Sequence, residues 1–183
     1  MKSFFSNEGL DTFAWGKLYL TEMFKDIRYP YGKLYEDVFT TYKIIDKCNK
    51  IVIGNKCKYI YRIRNTSITG SSFSSRQLDR IAAHKERTNF IKNKYPELVG
   101  FASSGIVYAT NQCLLKMATT KNCNVRSQLE LLKEFQKNYR RYEKSFLKSN
   151  SGIVSKFFSV IAFCNIVIAF RIIFFLQRFR KEK

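Results

Sequence analysis

The most constraining feature of this chain is an uncharged run, FFSVIAFCNIVIAF, held at 157–170 between Lys156 and Arg171. Such a run must be hidden from water. At 14 residues it is short for a membrane span, which needs about 20 apolar residues. Reading on through RIIFFLQ reaches spanning length but takes in Arg171. A central arginine costs about 2.5–3.5 kcal/mol on insertion scales, and less near an end, where it snorkels. A helix lying in the interface, or a shallowly inserted hairpin, satisfies the same pattern. Burial in a protein core is the alternative. Beyond the run, Arg178, Arg180, Lys181 and Lys183 are placed to meet anionic headgroups. The segment 151–183 therefore reads as an apolar and basic membrane-associated helix.

Charge narrows the partners. There are 33 Lys and Arg against 14 Asp and Glu, a net charge of +19, which implies a polyanionic partner. Nucleic acid is set aside: the cations are spread over every segment, no recognition motif is present, and the apolar C-terminus fits poorly. An anionic membrane surface and phosphorylated substrates remain. With 17 Phe and 11 Tyr but only 2 Pro, the chain has the material for an ordered core. Cys48, Cys57, Cys113, Cys123 and Cys164 include no CxxC pair and there is one histidine, so no zinc site is expected. The start, MKSFFSNEGLDTF, has no apolar run of signal-peptide length, which points to the cytoplasm.

Local patterns divide the remainder. In EDVFTTYKIIDKC the apolar Val38, Phe39, Tyr42 and Ile45 recur at helical spacing. Glu36 and Asp37 stand where a helix N-terminus favours anions. KIVIGNKCKYIYRIR reads as a β-hairpin over 50–64, with Tyr59, Tyr61 and Ile63 on an aromatic face and a largely basic face opposite. NTSITGSSFSS is polar, with Ser74 or Ser75 placed to cap the next helix. From about 75 onward helices dominate, the longest amphipathic stripe being Leu129, Leu132, Phe135, Tyr139, Tyr142 and Phe146. LVGFASSGIVYATNQCLLKMATT carries little charge and reads as an interior helix. His84, within AAHKER, reads as a surface or half-buried helix residue with no assigned role. The expected class is α+β, mainly helical, with a mixed region at 1–72 and a helical region at 73–150.

Three blocks carry a resemblance. Trp15-Gly16-Lys17-Leu18-Tyr19 comes first, then Tyr29-Pro30-Tyr31-Gly32 ahead of Glu36-Asp37-Val38-Phe39. Last comes Tyr59-Ile60-Tyr61-Arg62-Ile63-Arg64-Asn65-Thr66-Ser67-Ile68. In this order and spacing they resemble the acceptor-side, C-terminal half of bacterial family 2 glycosyltransferases of the GT-A fold, enzymes of capsular and cell-wall polysaccharide synthesis. The resemblance covers about residues 10–100.

It implies that Asp37 is a general base, taking the proton of an acceptor hydroxyl as that oxygen attacks the anomeric carbon. Glu36 would orient the acceptor or hold Asp37 in place. Trp15 would stack on a sugar or nucleobase, a buried core role being the alternative. Lys17, Arg62 and Arg64 would face a diphosphate or phosphate-bearing lipid, a solvated basic strand face being the alternative. The resemblance also implies a nucleotide sugar donor, a lipid-linked saccharide acceptor and a divalent Mg or Mn ion. The metal-binding Asp-x-Asp of the family occurs nowhere here. The chain is accordingly expected to be truncated or to work with a separate N-terminal half, binding no metal alone. A non-catalytic, basic, membrane-peripheral module is the competing reading.

Overall fold

The computed structural model describes residues 1, 11–54, 56, 58–62, 72–120, 126 and 128–181, the last five by backbone alone. Helix α1 spans Glu36–Lys47, α2 Asp79–Lys94, α3 Val99–Thr119, α4 Leu129–Leu147, α5 Ile153–Cys164 and α6 Ile166–Lys181. Short 3-10 turns lie at Thr21–Phe24, Ser75–Leu78 and Pro96–Leu98.

The central element is α3. It buries Ala102, Ile106, Val107, Ala109, Cys113, Leu114 and Met117, because α2 and α4 pack against it while α6 covers it further along. Its small residues let these neighbours approach closely. The expected stripe of α4 lands in this core: Leu132, Phe135, Tyr139 and Phe146 are buried, and each such side chain contributes about 1.5–3 kcal/mol. Leu129, at the stripe's edge, stays largely exposed. Helix α1 packs on α2, and its expected apolar face of Val38, Phe39, Tyr42 and Ile45 is buried.

The α+β class is corrected to helical. Among the described residues there is no strand, and 51–54 and 58–62 run without ladder pairing. Ile60 is 93% exposed and Val52 80%. A two-stranded hairpin is at best marginal unless its apolar face has a sheet or helix to cover; these segments have none. Ile63 and Arg64 lie outside the described residues. Ser74 occupies the N-cap position before Ser75–Leu78, but its side chain makes no cap bond; its carbonyl accepts from the Gln77 N–H at 2.9 Å instead.

The apolar C-terminal run does not form one helix. It breaks at Asn165, whose extended backbone (φ −152°, ψ 106°) ends α5. The Asn165 side-chain oxygen then accepts from the N–H groups of Val167 (3.0 Å) and Ile168 (3.2 Å), capping α6. On the other side of the break, Gln136 of α4 donates to the carbonyls of Phe163 and Cys164 at 3.3 and 3.2 Å. Orphan groups at both helix ends are thus satisfied. Helices α5 and α6 fold back on one another and onto α3 and α4, burying Ala162, Ile166, Ala169, Phe170 and Ile173. Their opposite faces leave Ile153, Val154, Phe157, Phe175 and Leu176 exposed. The helix long and apolar enough to cross a membrane, among the described residues, is Pro96–Thr119, and half of it is buried in the protein.

Candidate functional site

The site forms where the loop before α1 meets the start of α2. The turn at 30–33 closes with the Lys33 N–H directed to the Pro30 carbonyl. Gly32 adopts φ +74° there, a conformation glycine reaches without cost. Asp79, first residue of α2, clamps the loop: its carboxylate accepts from the Leu34 N–H (3.1 Å) and the Lys33 ammonium (3.0 Å). The Arg76 guanidinium donates to the Gly32 carbonyl at 3.3 Å.

Tyr35, the N-cap of α1, is left-handed (φ 60°, ψ 38°). For a non-glycine residue this costs about 1–3 kcal/mol and persists only where surroundings enforce it. Here the enforcement is explicit. The Tyr35 hydroxyl donates to Gln77 Oε1 at 2.6 Å, and the Arg80 guanidinium lies over its ring at 4.5 Å. The strained residue sets how Glu36 and Asp37 emerge in the first turn of α1.

Both acidic side chains are half-buried. Asp37 Oδ1 accepts from the Val38 N–H at 2.7 Å. Burial raises the Asp37 carboxyl above its ordinary value and the Glu36 charge adds to this, while the Val38 N–H and Arg80 pull the other way. Burial also raises the Tyr19 hydroxyl, with Tyr29, Asp11 and Asp37 beside it acting in the same direction. Asp37 therefore lies among tyrosines in a partly dry setting.

The aromatic blocks converge. Trp15, 36% exposed, stacks on Phe13 (4.5 Å), Tyr59 (4.8 Å) and Tyr61 (5.1 Å). Residues more than 40 positions apart in sequence thus form one platform, with no strand among the described residues between them. The Thr41 hydroxyl, one helical turn after Asp37, donates to the Thr12 carbonyl at 2.6 Å, tying the Trp15 loop to α1. Lys17 is turned onto its own loop, paired with the Asp11 carboxylate and donating to the Phe13 carbonyl. Arg62 is exposed. Arg64 lies outside the described residues.

Sequence reasoning missed a neighbouring cleft and the buried pair behind it. Tyr35, Gln77, Arg80, Gln112, Cys113 and Lys116 line a hollow of about 250 Å³; these positions belong to no motif. His84, read as a surface or half-buried residue, is buried at 7% exposure, beside Arg87 at 2.9 Å. Burial holds its pKa well below the ordinary range. The charged flanks Lys85 and Glu86 disguised a position whose space is made by Gly105 of α3. Among the described residues no three His, Cys, Asp or Glu side chains converge as metal ligands.

A 56-residue stretch, 31% of this chain, is 41% identical to glycosyltransferase GlyA of Streptococcus pneumoniae serotype 4 (strain ATCC BAA-334 / TIGR4), and it makes up 8% of that protein. No family model matches the chain, and no solved structure matches it. The chain is thus related in part to a glycosyltransferase.

Proposed function

We propose that this chain is the acceptor-handling part of a family 2, GT-A type glycosyltransferase that moves a sugar from a nucleotide sugar to a lipid-linked saccharide. The observation that carries the reading is the half-buried Asp37, raised by burial, at the head of a helix whose entry is fixed by Tyr35. A carboxylate of raised pKa is a stronger base once ionised. It takes the acceptor hydroxyl proton while that oxygen bonds to the anomeric carbon and the bond to the departing nucleotide diphosphate breaks. The stacked Trp15, Tyr59 and Tyr61 offer ring faces suited to a sugar. Glu36 supports the raised pKa of Asp37 by its adjacent charge.

The nucleotide sugar and its metal are assigned to a partner region. Exposed apolar side chains at Leu18, Leu20, Tyr31 and Ile60 support such a partner. The outer face of α5 and α6, with exposed Ile153, Val154 and Phe157 flanking Lys156 in sequence and exposed Arg171 in α6, supports attachment to the anionic inner face of the cell membrane. Because Asn165 divides the apolar run, the attachment is interfacial. That same face also supports the second reading, a non-catalytic membrane-peripheral module.

The test is transfer from labelled nucleotide sugars to lipid-linked acceptors, in membranes carrying this chain with a separately supplied nucleotide-binding half. Transfer that needs the chain and falls about 10²–10⁴-fold in Asp37→Asn supports the enzyme reading. Transfer indifferent to Asp37 removes the base. Membrane binding without transfer favours the module.

A further inference from the structure

Among the described residues, Tyr35 is the non-glycine position of positive φ. It stands at the N-cap of α1, where a side chain ordinarily bonds back onto the N–H of the second or third helical residue. The Tyr35 side chain makes no such bond. It leaves the helix for the turn Ser75–Leu78 and ends on Gln77 Oε1. The N–H of the third helical residue, Val38, goes instead to Asp37 Oδ1 at 2.7 Å and to the Tyr35 carbonyl at 3.0 Å. The route of one tyrosine side chain thus leaves a backbone donor for the Asp37 carboxylate.

Gln77 is itself firmly placed. It is 2% exposed, its N–H donates to the Ser74 carbonyl at 2.9 Å, and its carbonyl receives the Cys113 thiol of α3 at 3.4 Å. The residue is therefore anchored both in its own turn and to the central helix. The Tyr35 ring packs against the cluster of Val38, Phe39 and Ala83, with Arg80 over it. Those contacts hold a ring face; the bond to Gln77 adds direction, since hydrogen bonds weaken steeply off axis. We infer that Gln77 is a positioning residue for Asp37: it keeps Tyr35 left-handed and its side chain off the α1 N-terminus, so that the Val38 N–H pins the Asp37 carboxylate. Burial, the largest influence on that carboxyl, depends on the same first turn staying seated. The catalytic value of this arrangement rests on Asp37 acting as the base of sugar transfer; the arrangement itself does not.

NMR of the full chain tests it. In the wild type, scalar couplings should give Tyr35 a positive φ, and the Asp37 carboxyl resonance should titrate above its ordinary value. Gln77→Met nearly keeps the volume and removes the acceptor, whereas Tyr35→Phe keeps the ring and removes the donor. In both, residue 35 should lose its positive φ and the Asp37 midpoint should fall, because burial is what raises it. Gln77→Glu keeps an acceptor for the Tyr35 hydroxyl and should preserve the positive φ. Gln112→Met, in the lining of the same hollow, should change neither signal. In the transfer assay, Gln77→Met and Tyr35→Phe should lower kcat about 10–10²-fold with KM for the nucleotide sugar little changed. Gln77→Glu should recover most of that loss. If Gln77→Met does not fold, Tyr35→Phe decides. A positive φ retained in Tyr35→Phe, or an Asp37 midpoint that stays put, overturns the proposal. The NMR signals are read without any transfer, so failure of the positioning is told apart from failure of Asp37 as the base.

Discussion

Gly105 of α3 passes directly under His84 of α2: a β-carbon at 105 would collide with the imidazole Nδ1 and come within 2.6 Å of Arg87 Nη2. Gly105→Ala must therefore displace the His84 imidazole and the Arg87 guanidinium that pack against α3. Overpacking costs about 1–3 kcal/mol, and better helix propensity returns up to about 1 kcal/mol. Denaturant unfolding should show a net loss of about 1–2 kcal/mol. Gly100→Ala, in the same helix with open space around it, should be neutral or stabilising by a few tenths of a kcal/mol.

The buried imidazole also makes the fold acid-sensitive. The pKa of His84 is held well below 6.5 by burial, with Arg87 and Arg80 adding to the effect. The unfolded chain takes up a proton near 6.5 that the folded chain refuses, so stability falls as pH drops below about 6.5. Tm measured between pH 7.5 and 5 should decline more steeply in the wild type than in His84→Gln. Parallel declines would remove His84 as the cause.

For Asp37 the expected signature is kinetic. Its carboxyl is raised above 3.8, and only the ionised form accepts a proton. The acid limb of the transfer rate should therefore have its midpoint above 3.8 and disappear, with most of the activity, in Asp37→Asn. An acid limb that survives at the same midpoint in the Asn variant belongs to another group.

The break at Asn165 is held by side chains that propensity does not supply. Asn165→Ala removes the cap of α6 and should cost about 0.5–2 kcal/mol. Gln136→Ala, which strips donors from the Phe163 and Cys164 carbonyls, should cost about 1 kcal/mol. Chemical denaturation of each variant measures both.

Membrane attachment is best tested by point changes. Removing everything after residue 150 would also remove Ala162, Ile166, Ala169 and Phe170 from the core, so loss of vesicle binding would report unfolding. Ile153→Ser with Phe157→Ser alters exposed positions alone, 86% and 63% accessible. The double variant should keep its Tm within a few degrees and lose most binding to anionic liposomes. High salt should weaken binding of the wild type only in part, because screening leaves the apolar contribution intact. Undiminished binding of the double variant would place the anchor elsewhere.

Helical spacing in the sequence located α1 and α4 because their buried positions repeat within one element and need no distant partner to be recognised. The convergence of Trp15 with Tyr59 and Tyr61 was legible only as neighbouring motif blocks. The hairpin was misread because alternation describes a face, and whether that face forms a strand depends on what covers it. The α5–α6 break rested on one asparagine in an apolar run, and its satisfaction by Gln136 comes from another helix. The cleft was invisible for the same reason: Arg80 and Lys116 are 36 positions apart and meet only after α2 packs on α3.

The placement of Arg80 has a thermodynamic corollary. Its guanidinium lowers the proton affinity of Asp37 and lies over the ring of the strained Tyr35, so one cation serves a charge and a conformation. Reciprocity then applies. Ionised Asp37 favours the seated guanidinium, and the seated guanidinium favours ionised Asp37 by the same factor. Taking up a proton at Asp37 would thus loosen the clasp on the turn that presents it.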